Sequence, residues 1–175
     1  MAVTPECGGN EPMLSVAQAR ETLLETLNPV TGWERVPVRS ALGRILAQTL
    51  TAPFDVPAHD NCAMDGFAVR AVDLTDTENR LRLVGTAFAG AAFPGRVGPG
   101  QAVRVMTGAV LPEGTDTVMI QEAARMEVDS VVLPACDRPG QNVRRAGEDI
   151  AAGRPALPAG RRIGPAELGL IASLG

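Results

Sequence analysis

The chain has 175 residues, of which 45% are apolar and 21% charged, with a net charge of −4. That balance gives one ordinary folded domain or two small ones and excludes a disordered chain. All 16 basic residues are arginines, standing singly or in pairs such as Arg144-Arg145 and Arg161-Arg162, so no basic face for nucleic acid is present.

Residues 1–12 are rich in Gly and Pro and unpatterned, and read as a disordered leader. A helix start follows. Ser15 caps, Gln18 completes a capping box, and Val16, Leu23, Leu24 and Leu27 share one face. Asn28-Pro29 ends that helix. Alternation in Trp33, Val36 and Val38 predicts a short strand or extended segment. Ser40 caps a second predicted helix over 41–50, weakened by about 1 kcal/mol at Gly43. Pro53 and Pro57 then force an extended linker. Between 60 and about 147, short strands are predicted at Phe67–Ala71, Leu81–Ala87, Ala102–Met106, Thr117–Gln121 and Ser130–Leu133, each bounded by Gly, Pro or Asp. The last helix is predicted from Gly164 as cap, with Pro165 and Glu167 in its first turn, to Ser173.

These elements predict an α+β, β-rich chain in two parts. Residues 13–52 and 148–175 form an elongated, helix-containing linker domain. Residues 53–147 form an inserted all-β domain, a bent or barrel-like sheet. No apolar run reaches the roughly 18–20 residues of a membrane span, and no basic-then-apolar leader opens the chain. A cytoplasmic protein without a membrane partner is expected.

Three stretches carry chemistry. In "DNCAMDG", Asp60, Asn61 and Asp65 either build two successive turns or place carboxylates for a hard cation or a water. In "MTGA", Thr107 beside Gly108 either meets a ligand oxygen or caps its own turn. In "NVRRAGEDI", Arg144 and Arg145 either clamp an oxyanion, oriented by Glu148 or Asp149, or form a solvated charge cluster. Cys7, Cys62 and Cys136 are odd in number and widely spaced, which fits neither a disulfide framework nor a metal knuckle. With His59 the single histidine, no Ser-His-Asp triad and no His-rich zinc site can be assembled.

Taken in order, "LGRILAQTLTAPFDVPAHDNCAMDGFAVR", "VRVMTGAVLPEGTDTVMIQE", "GQNVRRAGEDI" and "AELGLIASLG" resemble the N-terminal half of the molybdopterin molybdenumtransferases, the MoeA family that includes gephyrin-type E domains. The resemblance implies an enzyme that inserts molybdenum from molybdate into adenylylated molybdopterin, with release of AMP and a requirement for Mg2+. It implies a homodimer and an active site completed by a pterin-binding domain that follows in the family. This chain alone is then expected to be inactive, with that domain supplied by the same or a separate polypeptide. By the resemblance Asp65, Thr107 and Asp149 are catalytic, and Asn61, Arg144, Arg145 and Glu148 bind substrate. Cys62 stands where the family usually has serine, and His59 where an aromatic residue is common. The alternative implied function is a non-catalytic dimerisation or scaffold module of the gephyrin type.

Overall fold

The computed structural model describes residues 14–175, so the expected leader and Cys7 lie outside the described residues. Two compact units are present, one ending at Arg35 and the other running Val36–Gly175.

In the first unit, helix α1 spans Val16–Thr26. The capping box is as expected: the Gln18 N–H donates to Ser15 Oγ at 3.3 Å, and the Ser15 N–H donates to Gln18 Oε1 at 3.0 Å. Val16, Leu23, Leu24 and Leu27 are all exposed. The helix therefore rests on its caps and local propensity.

The second unit holds ten strands and one α-helix. The strands are β1 (Leu50–Thr51), β2 (Asn61–Cys62), β3 (Gly66–Val69), β4 (Asn79–Ala87), β5 (Gln101–Val105), β6 (Thr117–Ile120), β7 (Arg125–Met126), β8 (Ser130–Leu133), β9 (Val143–Arg144) and β10 (Pro155–Leu157), and helix α2 spans Pro165–Leu174. All five strands expected between 60 and 147 are present, within two residues at their ends. Helix α2 starts as expected, with the Gly164 N–H donating to Glu167 Oε2 at 3.0 Å.

Residues 41–50 are not the expected helix. Gly43 adopts φ +80, a left-handed conformation that favours glycine and stops helix propagation. The chain then runs alongside 160–163, with Gly43 N–H to Ile163 O at 2.7 Å and Leu46 N–H to Arg161 O at 2.9 Å. Of the two readings of residues 33–38, the strand is not formed: 33–37 belong to no strand, and a single 3-10 turn follows at Val38–Ser40. Local periodicity lost to long-range pairing at the first site and found no partner strand at the second. From 43 onward the antiparallel ladder continues through Leu50↔Leu157, Val56↔Ile150 and Asn61↔Arg144. One long two-stranded ribbon therefore leads from α2 to the "DNCAMDG" bend.

The other six strands form one sheet in the order β6-β3-β5-β4-β8-β7. Alternation sends Phe67 and Val69 into one core, with Leu81, Met119, Val131 and Leu133, and Ala68 into another, with Val103, Val105 and Val118. Leu83↔Ala102 and Gly85↔Val103 are successive pairs, so β4 carries one extra residue, Val84. This bulge flips the strand's side-chain parity. As a result Leu81 faces the first core while Ala87, at the same parity, faces the second. Phe93 packs where a Cβ on Gly85 would stand, 2.7 Å from its ring.

Candidate active site

Strands β4 and β5 are the parallel pair of the sheet, so both deliver their following loops to the same edge. The loop after β5 carries Thr107. Gly108, at φ +82, bends it back onto β2: Gly108 N–H donates to Cys62 O at 2.9 Å, Cys62 N–H to Ala109 O at 2.8 Å, and Leu111 N–H to Asp60 O at 2.8 Å. The opposite edge of β2 pairs with β9. Next to it, Ala63 N–H reaches the carbonyl of Asn142 at 2.9 Å. Asn142 itself sits at φ 57, a conformation asparagine tolerates. Two residues of β2 thus seam together all three stretches singled out in the sequence.

Asp65 is placed by its neighbour. Gly66 passes so close to β6 that an added Cβ would lie 1.9 Å from the Met119 carbonyl oxygen. The Asp65 Oδ1 atom accepts from the Thr107 N–H at 2.7 Å and from the Thr107 hydroxyl at 2.8 Å. These two bonds, aided by the charge of Arg104, hold the Asp65 carboxyl below the usual carboxylate range.

Asp60, on the other side of β2, is held differently. Its Oδ1 accepts from the Ala146 N–H at 2.9 Å, and its Oδ2 from the Arg145 guanidinium at 2.6 Å. The Ala146 bond first and the Arg145 bond second lower its pKa. Arg144 pairs with Glu148 at 3.4 Å and makes a short hydrogen bond to Asp149, and Asp149 raises the Arg144 pKa. Glu148 also accepts the Arg145 N–H at 2.9 Å. Both arginines are therefore committed to carboxylates of this chain. Three carboxylates, Asp60, Glu148 and Asp149, face two guanidiniums, and the turn is not an excess-positive oxyanion clamp.

Asn61 enters through its backbone, opposite Arg144 in β9 and Val110 in the Thr107 loop. Cys62 is buried, and burial pushes its thiol up to about 11, so it is inert packing rather than a nucleophile. No group of three or more His, Cys, Asp or Glu side chains among the described residues could hold a metal ion. Asp65 and Asp149 each keep one carboxylate oxygen without a hydrogen bond, whereas Asp60 and Glu148 have both engaged. A cavity of about 580 Å³ lies elsewhere, lined by Leu42, Arg161, Ile163, Pro165 and Glu167 among others, and none of the three stretches reaches it.

The family model for the MoeA N-terminal region (domain I and II) matches residues 14–175. The chain belongs to the MoeA family. A molybdopterin molybdenumtransferase from Haemophilus influenzae is 42% identical over 164 residues, covering 93% of this chain and 40% of that protein. Gephyrin from Dictyostelium discoideum is 31% identical over 185 residues, covering 96% of this chain and 25% of its own length. The crystal structure of the molybdopterin biosynthesis moeA protein from Pyrococcus horikoshii OT3 matches with a TM-score of 0.86 at 32% identity, over 91% of this chain and 43% of that one. The chain spans about two-fifths of the molybdenumtransferases it matches.

The roles of two residues here are not marked in the sequence. Asp60, a candidate for a turn or for holding a cation or a water, anchors Arg145, 85 positions away. Arg104 stands in β5 with nothing local to mark it, and its charge reaches Asp65 across the sheet. The equal number of acids and arginines in "NVRRAGED" was the available signal that its arginines would be neutralised.

Proposed function

We propose that the chain is the N-terminal part of a molybdopterin molybdenumtransferase, which inserts molybdenum from molybdate into adenylylated molybdopterin and releases AMP. It supplies one wall of the active site, built from Asp65, Thr107 and Asp149 with Asn61, Arg144, Arg145 and Glu148. The other wall belongs to a pterin-binding region outside these residues. The observation that carries this reading is the seaming of all three sequence stretches by β2. The names of the relatives give it its chemistry.

Within this reading the residues divide their work. Asp65 is a fixed, ionised hydrogen-bond acceptor. The arginine-acid turn is a rigid frame whose guanidiniums meet an anionic ligand only by sharing or exchanging their present carboxylate partners. Mg2+ takes one or two protein carboxylates plus phosphates. The site carboxylates offer it the open oxygens of Asp65 and Asp149, and no group of three or more such side chains is assembled among the described residues, so its remaining ligands come from elsewhere. The discontinuous linker domain is proposed as residues 13–52 with 148–175, and the pairing of 43–52 with 153–163 supports that assignment. A cytoplasmic homodimer is the expected assembly.

The test is molybdenum insertion by the full-length protein, or by this chain mixed with the missing region. Asp65→Ala is expected to slow it by about 100-fold or more with the fold intact, and insertion at the wild-type rate would refute the assigned role. The exposed apolar residues of α1 and the gephyrin relative favour a second reading, a dimerisation scaffold. In that case the chain dimerises and substitutions at Asp65, Thr107 and Asp149 change nothing.

A further inference from the structure

We propose that Thr107 is a positioning residue: it holds the Asp65 carboxylate rather than touching the substrate, so that Asp65 presents its other oxygen to an N–H or O–H donor of the ligand. This deepens the reading given under Proposed function and rests on it for the identity of the ligand.

The argument begins with one proton. A threonine hydroxyl has a single hydrogen to donate, and that of Thr107 is given to Asp65 Oδ1 at 2.8 Å. The Thr107 N–H goes to the same atom at 2.7 Å. Both donors of the residue are spent on one oxygen, and neither is left for a molybdate or phosphate oxygen. What the pair shows outward is the remaining Asp65 oxygen and the lone pairs of the Thr107 hydroxyl. Such a surface accepts hydrogen bonds and repels oxyanions, which selects a donor-bearing part of the ligand, such as a ring N–H, a hydroxyl or a bound water.

The surroundings fix this arrangement from both sides. Met106 N–H is tied to Ala87 O at 3.3 Å and Gly108 N–H to Cys62 O at 2.9 Å, so the Thr107 N–H between them is directed by its neighbours. The β-branch restricts the hydroxyl to few rotamers. Behind Asp65, Gly66 has no room for a side chain, and Gln121 N–H binds the Asp65 carbonyl at 3.1 Å. The charge that acts on the carboxylate is that of Arg104 on β5, whose field favours ionisation. Thr107 is exposed, so Thr107→Val removes the hydroxyl without repacking a core, and Thr107→Ser keeps it.

Two experiments test the proposal. In the full-length enzyme, Thr107→Val is expected to slow molybdenum insertion by about 10- to 100-fold, the worth of a hydrogen bond to a charged group. Thr107→Ser should recover most of that loss. In an Asp65→Ala background, Thr107→Val should change the rate less than about 2-fold, because residues acting as one unit are not additive. Multiplying losses, or a serine variant as slow as the valine one, would overturn it. The second experiment needs no activity. In this chain with 13C-labelled aspartate, NMR titration should place the Asp65 midpoint below the ordinary value. The midpoint should rise in Thr107→Val and stay low in Thr107→Ser. An unchanged midpoint in Thr107→Val overturns the positioning role whatever the enzyme does, whereas a shifted midpoint in an inactive full-length protein would count against the function and leave the positioning intact.

Discussion

Asp60 and Asp65 stand five residues apart on either side of β2, and the fold uses them in opposite ways. Asp60 has both oxygens occupied, one by a backbone N–H and one by a guanidinium. Asp65 has two donors on a single oxygen. The first is a closed ion pair that pins the 143–149 turn to β2. The second is a carboxylate held still by neutral donors with one oxygen open. The difference shows that the number of partners says little about a carboxylate's role. Their distribution over its two oxygens says more.

The severest way to break the contrast is to move the backbone between the two sides. Gly66→Ala would place a Cβ 1.9 Å from the Met119 carbonyl oxygen. Neither β3 nor β6 can yield without opening the sheet, so a loss of about 3 kcal/mol or more is expected in urea unfolding. Next comes a crossed pair of substitutions. Asp65→Ala in the full-length enzyme should reduce molybdenum insertion by about 100-fold or more, in the range of a positioned catalytic group. Its urea midpoint should fall by less than that of Asp60→Ala, because Asp65 is the more solvent-screened of the two. Asp60→Ala should do the reverse and lower stability by about 1 kcal/mol, a part-exposed ion pair plus one backbone hydrogen bond. Its effect on rate should come only through loosening of the turn. If the two variants behave alike, the division between frame and site is wrong.

Acid sharpens the same comparison. Both carboxyls lie below the ordinary aspartate value when folded. Their stabilisation is therefore fully present above that value of about 3.9 and fades as pH falls through the lower folded values. Asp60→Asn should flatten part of the decline in urea midpoint between about pH 5 and 2. The smallest expected effect concerns Cys62, between the two acids. Its thiol is buried and pushed up to about 11, so at pH 8 it should react with a disulfide reagent at least 10-fold more slowly than the half-buried Cys136, with the rates converging in urea.

Much of the secondary structure was legible because its causes are local. The capping box at Ser15 and Gln18, the Gly164-Pro165 start of α2 and the alternating runs between 66 and 133 are all decided within a few residues. The segment 41–50 failed for the opposite reason. Its helical spacing is real, but Gly43 and the facing strand at 160–163 outweigh it. At the site, Asp65, Thr107, Arg144 and Asp149 were marked by residue type and motif order. That Thr107 would donate to Asp65, and that both arginines would be neutralised, was not marked.

The sequence by itself determined where α1, α2 and five of the ten strands lie, which residues alternate into cores, and which small polar residues gather at bends. Each of these is a matter of backbone preference and short spacing. Tertiary structure alone decided which oxygen meets which donor, because a hydrogen bond is satisfied by distance and angle and is indifferent to the 42 positions separating Thr107 from Asp65. It also decided that the ribbon would replace a helix, since only a partner strand arriving from more than 100 residues away could complete the ladder at Gly43 and Leu46.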